Sequence, residues 1–179
     1  MSEIEITPEV FTADYAGEPG QRTFFMQSHG EWGTLTYLVE KQQVAALGER
    51  LRDVLILVDE ADPVSNAMPA RDPALALSVP IEPEWRVGTL GLSYEEDADR
   101  IVVLMEPVED PDTQVTEEDP PPTSESSVRF LLRRDQVRSF ILHALAIVGE
   151  GRATCPLCGL AMDPAGHQCP ASNGHHLTV

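Results

Sequence analysis

The sequence predicts an α+β fold. It reads as two strand-strand-strand-helix repeats related by a pseudo-two-fold, giving a mainly antiparallel sheet with helices on one face, followed by a small Cys- and His-rich tail. Two observations carry this. First, the stretch 35–58 recurs 93 residues further on: Leu35 aligns with Val128, Tyr37 with Phe130, Val39 with Leu132, Gln43 with Gln136, Val44 with Val137 and Leu47 with Phe140. Self-similarity at one fixed spacing marks a duplicated unit. Second, both copies change period at the same place, from the alternation of a strand to the 3.6-residue repeat of a helix.

Residues 1–8 offer either a short strand or a loose end. Residues 11–16 and 22–27 read as strands parted by the Gly- and Pro-containing turn around Gly17 and Pro19, and a second turn at residues 28–33 leads into a third strand, 34–39. From Lys41 the apolar residues Val44, Leu47, Leu51, Leu55 and Val58 recur at helical spacing. Gly48 weakens that helix by about 1 kcal/mol relative to alanine, so either backbone packs closely there or packing elsewhere compensates. Residues 59–84 carry Pro63, Pro69, Pro73, Pro80 and Pro83 and read as the connection between halves. The second half opens at Trp85 with a strand containing Gly88 and Gly91, which mark a bulge or a close backbone approach. Its returning strand is 100–106, its third strand 128–132. The helix that follows carries Val137, Phe140, Ile141, Ala144, Leu145 and Val148 on one face and ends at Gly149. Between the second and third strands, residues 108–126 are acidic, without a basic or aromatic residue, and read as a flexible insert. The expected division is therefore a duplicated domain at 9–150, with halves 9–58 and 85–149, and a tail at 151–179.

The balance of 12 basic against 30 acidic residues gives a net charge of -18. Such a surface repels phosphate backbones and anionic bilayers, which argues against nucleic acid and membranes as partners. The N-terminus lacks the basic and apolar regions of a signal peptide, and the apolar run 140–148 is too short to span a bilayer. A cytoplasmic location is expected.

Chemistry gathers in the tail. The three cysteines all fall within residues 155–169, an odd number that forms no complete disulfide framework. Cys155-Pro156-Leu157-Cys158-Gly159 has the spacing at which two thiolates grip one metal across a tight turn, and Cys169 adds a third. Thiolates with imidazole suit Zn2+. His167, His175 and His176 all lie within reach as the fourth ligand. His167 is favoured, because residues i and i+2 of an extended segment point the same way and Cys169 already faces the metal. Four protein ligands would close the site, making the zinc structural.

The blocks 19–25 (PGQRTFF), 39–44 (VEKQQV) and 85–92 (WRVGTLGL), together with the tail 151–175, resemble an uncharacterised actinobacterial family of about this length, a domain of unknown function often labelled a repeat protein. The resemblance implies a tail of the form Cys-Pro-x-Cys, then Gly-His-x-Cys, then Asn-Gly, which falls on Cys155, Cys158, His167, Cys169, Asn173 and Gly174. Ala161 and Ala171 depart from the proline and arginine of that pattern. The resemblance implies no reaction.

No nucleophile-elbow, zinc-protease, P-loop or dinucleotide motif is present. His29 with Glu31 reads as a polar hairpin tip. Arg129, Arg133, Arg134, Arg138 and Arg152 concentrate near the second strand-helix junction, where they read as facing the acidic insert just before them or water, the alternative being an anionic ligand at the helix start. The expected function is a non-catalytic protein-interaction or adaptor module, its partner another protein. The alternative is an enzyme or small-molecule binder using the Gly88/Gly91 strand with Arg22, Arg86 and Arg100.

Overall fold

A computed structural model of the chain describes residues 3–59, 64, 67–108, 127–151, 155–160, 162 and 167–172. The elements are β1 (Glu3–Ile6), β2 (Val10–Ala16), β3 (Thr23–Gly30), β4 (Gly33–Val39), α1 (Lys41–Val58), β5 (Pro83–Glu95), β6 (Arg100–Pro107), β7 (Ser127–Leu132) and α2 (Arg134–Gly149). They form a mixed α+β structure around a seven-stranded sheet of order β1-β7-β6-β5-β4-β3-β2. Within β2–β3–β4 and within β5–β6–β7 every pairing is antiparallel, whereas β4 lies parallel to β5 and β1 parallel to β7. The strand-strand-strand-helix order thus occurs twice in the chain. The ladders also correspond: Met26 faces Tyr37 across β3/β4, and Val103 faces Phe130 across β6/β7. The acidic insert lies outside the described residues from 109 to 126.

Alternation along the strands sends one set of side chains to a common core. Phe11, Met26, Tyr37, Val103 and Phe130 meet Val44, Leu47, Leu51 and Leu55 of α1 and Val137, Phe140, Ile141 and Ala144 of α2, all buried. Side chains of this size contribute about 1.5–3 kcal/mol each on full burial. The two helices touch at Gly48, where an added Cβ would lie 3.2 Å from Leu145 Cδ2. The close packing that offsets the glycine is therefore helix on helix. Strands β1 and β2 occupy opposite edges of the sheet yet are joined by residues 7–9 alone. Three residues reach little more than about 10–14 Å, so the sheet must curl until its edges face each other. The rings agree: Phe11 of β2 lies 5.0 Å from Phe130 of β7 and 5.2 Å from Phe140 of α2.

The opposite face of β2 and β3 is polar and nevertheless buried. The Pro-rich connection lies across it. Thr12 donates to the Leu75 carbonyl at 2.5 Å, and the Gln27 amide both donates to Ser78 O at 3.0 Å and accepts from Ser78 N at 2.8 Å. A 3-10 turn, Pro73–Leu75, N-capped by Asp72, lies in this connection. In β5 the register shifts between Val87 and Thr89, and a Cβ on Gly88 would meet Pro107 O at 2.9 Å. The glycine is required by close backbone approach. No helix among the described residues is long and apolar enough to cross a membrane.

Both helices begin the same way. The Glu40 N–H donates to Gln43 Oε1 at 2.8 Å, and the Arg133 N–H to Gln136 Oε1 at 3.0 Å, so in each helix the glutamine of the first turn reaches back to the backbone of the residue preceding the helix. The other end of each amide reaches a distant strand. Gln43 Nε2 donates to the Val87 and Gly88 carbonyls at 3.0 and 3.1 Å, and Gln136 Nε2 to those of Pro8 and Glu9 at 2.8 and 2.9 Å.

Candidate functional site

Beyond α2 the chain forms a knuckle. The Cys155 N–H donates to Leu160 O and the Gly159 N–H to Cys155 O, both at 2.8 Å, while the Leu157 N–H points at Cys155 Sγ at 3.4 Å. Gly159 closes this turn at φ +71, a left-handed conformation that glycine adopts without a Cβ clash. The turn sets the two cysteine sulfurs on one side, and the segment around Cys169 returns to them. The ligand atoms of Cys155, Cys158, His167 and Cys169 all lie within 4.8 Å of one another. Cys155 and Cys169 have their sulfurs 3.7 Å apart, and Cys158 Sγ lies 3.2 Å from His167 Nε2. Tetrahedral ligation with metal–sulfur bonds of about 2.3 Å sets sulfurs about 3.8 Å apart, so the donors fit a metal ion. The cysteines form no disulfide.

The local field favours a thiolate at one position. Backbone N–H groups of Cys158 and then Leu157 hold the Cys155 thiol below its ordinary value. For Cys158 the Leu160 N–H acts downward, but burial and the neighbouring Cys169 and Cys155 sulfurs push the thiol up on balance. A bound cation relieves such crowding of negative charge. Of the three histidines considered as fourth ligand, His167 is the one in the cluster; His175 and His176 lie outside the described residues.

Arg22 and Arg86, far apart in sequence, line one cavity of 420 Å³. Arg100 is elsewhere. It sits at the β5–β6 hairpin with its guanidinium on the Ala98 and Asp99 carbonyls at 3.1 and 2.9 Å. The arginines at the second strand-helix junction are spent on acidic neighbours rather than on a common site. Arg129 pairs with Glu95 at 2.5 Å and Glu3 at 3.3 Å, Arg133 with Asp135 at 2.9 Å, Arg134 with Asp99 at 2.9 Å and Arg138 with Asp59 at 3.4 Å. Arg152 lies outside the described residues. His29 bonds Thr34 at the β3–β4 hairpin, a polar tip as expected, and burial lowers its pKa.

Sequence reasoning missed a buried polar cluster. Arg71 from the connection grips both Asp14 carboxylate oxygens at 2.9 Å, and His143 of α2 sets Nε2 3.6 Å from Asp14 Oδ2. The Asp72 N–H donates to His143 Nδ1 at 2.9 Å, which leaves the ring proton on Nε2, toward Asp14. Burial pushes the Asp14 carboxyl up, but His143, the Tyr15 N–H and Arg71 together hold it below the usual carboxylate value. Tyr15 donates to Glu150 Oε2 at 2.5 Å, and Arg71 reaches the same carboxylate at 3.0 Å. With the Asp14 and His143 side chains 2% and 1% exposed, no substrate reaches this pair. It ties β2, α2 and the connection together. The one sequence signal was His143 itself, an imidazole inside an otherwise apolar helix face.

Fold and site together define a mixed α+β domain with a Cys3His cluster close behind its last helix. The chain belongs to the family described as protein of unknown function (DUF3090), whose model matches residues 6–169 and so takes in all four residues of the cluster. Neither the curated proteins nor the solved structures give a match.

Proposed function

We propose that the chain is a non-catalytic protein-interaction module whose C-terminal tail is closed by a structural zinc ion. The observation that carries the reading is the Cys3His cluster, with four ligand atoms within 4.8 Å of one another. Three thiolates and an imidazole are a zinc donor set, and four protein ligands leave no open position for a substrate. The tail has little apolar core of its own, so the ion supplies its folding energy. The knuckle held by that ion exposes Leu157 at 70% and Leu160 at 53%. Two exposed leucines on a metal-stiffened turn are suited to docking against an apolar pocket of a partner protein.

The duplicated halves of this reading are related by a pseudo-two-fold. Reciprocity supports it: Gln43 of the first half holds the opening of the second half's first strand, and Gln136 holds the approach to β2 in the first half. An isologous contact has this form, each partner presenting the same group to the other. The aligned residues Tyr37 and Phe130 also meet, ring centroids 6.0 Å apart.

The test is affinity capture from the native host with the zinc-loaded wild type and a Leu157→Asp/Leu160→Asp variant, quantified by mass spectrometry. A protein captured in stoichiometric amount by the wild type and lost from the variant is expected. Equal capture by both, or none by the wild type, contradicts the docking surface.

A further inference from the structure

The 420 Å³ cavity lies where three segments distant in sequence converge: the start of β3, the β4–α1 junction and β5, with the end of α2 as a fourth wall. Three of the chain's 12 basic residues line it, Arg22, Lys41 and Arg86. In a chain of net charge -18 this is a local reversal of sign. Two acidic residues also line the cavity, and neither neutralises it firmly. Glu150 has its carboxylate engaged by Tyr15 at 2.5 Å and Arg71 at 3.0 Å. Glu40 pairs with Arg86 at 3.2 Å, with side chains 64% and 56% exposed. A pair so exposed contributes at most about 1 kcal/mol, so Arg86 exchanges it readily for a better anion.

The remaining two cations are suited to receive that anion. Arg22 is held in place, its guanidinium 4.1 Å over the Tyr15 ring and one N–H bonded to the Glu150 carbonyl, so little side-chain entropy is lost when it binds. Its Nε is buried without a hydrogen-bond partner among the described residues. Lys41 makes no ion pair among the described residues. Two guanidinium groups and an ammonium on the walls of one cavity match a tetrahedral dianion better than a carboxylate, which offers two oxygens and a single charge. The volume exceeds that of one phosphate and is in the range of small-molecule sites, while Phe24, Leu38 and Val39 give an apolar wall for the rest of a ligand.

We propose that this cavity binds a phosphate-bearing small molecule, its phosphate held by Arg22, Arg86 and Lys41. The inference is independent of the zinc reading. Inorganic pyrophosphate is the probe, titrated into the full, zinc-loaded chain by isothermal calorimetry at low salt, with citrate as the competing anion. The variants are Arg86→Gln and Lys41→Gln, both at exposed positions and so expected to melt as the wild type does. Saturable one-site binding of pyrophosphate, weakened at least tenfold in each variant and tighter than that of citrate, is the expected result. No saturable binding, an affinity unchanged in both folded variants, or citrate binding as tightly as pyrophosphate would overturn the proposal.

Discussion

Replacing Gln136 by alanine tests the way the start of α2 is tied to the approach to β2. Its amide accepts from the Arg133 N–H at 3.0 Å and donates to the Pro8 and Glu9 carbonyls at 2.8 and 2.9 Å, and the residue is 8% exposed. Truncation removes three hydrogen bonds at a place water cannot easily refill. At about 1 kcal/mol per net bond the loss is about 3 kcal/mol. Gln43→Ala removes the corresponding three bonds, but its bonds to Glu40 and Gly88 are solvent-exposed, and about 1 kcal/mol is expected. The assay is urea unfolding followed by far-UV circular dichroism, with zinc present throughout. For a urea slope of about 2 kcal/mol/M, the Gln136→Ala midpoint falls by about 1.5 M at unchanged slope. A Gln136→Ala shift below about 0.3 M, or a larger loss from Gln43→Ala, would refute the idea that the buried amide holds α2 to the approach to β2.

Four further outcomes are expected. Arg71→Gln, which leaves the buried Asp14 carboxylate without its guanidinium, costs about 3 kcal/mol in the same assay. Because the folded-state pKa of Asp14 is depressed, the stability it contributes is present above its ordinary value of 3.8 and is lost as pH falls through the lower folded value. The stability gap between wild type and Asp14→Asn therefore holds from neutral pH to about pH 4 and closes below it, which urea midpoints across that range will measure. Gly88→Ala forces a Cβ to 2.9 Å from backbone atoms of Pro107 and Val108 and costs about 1–3 kcal/mol, whereas Gly149→Ala meets nothing within 4 Å and stays within about 0.5 kcal/mol. Replacing residues 109–125 by a short Gly/Ser linker leaves stability within about 1 kcal/mol, since closure entropy depends weakly on loop length; a collapse in melting temperature would mean the segment packs.

The helices were legible because burial at 3.6-residue spacing is written locally. Val44, Leu47, Leu51 and Leu55, and likewise Val137, Phe140, Ile141 and Ala144, are the buried positions that the periodicity picks out. The knuckle was legible for a similar reason, since ligand spacing and the turn glycine lie within five residues. Long-range pairing carries no such local mark. Nothing in the acidic segment Glu3–Ile6 reveals that it runs parallel to β7, and nothing in β4 or β5 announces that they lie side by side. The polar alternation of Thr12, Asp14 and Gln27 carries no local mark of burial, because the partner that buries it is an irregular, Pro-rich connection. Arg71 was lost with it. Arg22 and Arg86 were singled out for their charge, but Lys41 completes their cavity only because β4 delivers the start of α1 to the same place.

The central claim is that Cys155, Cys158, His167 and Cys169 hold one zinc ion. X-ray absorption at the zinc edge, combined with metal analysis of the natively purified chain, tests it most directly. The account predicts one zinc per chain with three sulfur neighbours at about 2.3 Å and one nitrogen at about 2.0 Å, and loss of that shell in His167→Ala but not in His175→Ala or His176→Ala. A metal-free native protein, a shell lacking three sulfurs, or zinc that survives in His167→Ala and is lost in His175→Ala would contradict it.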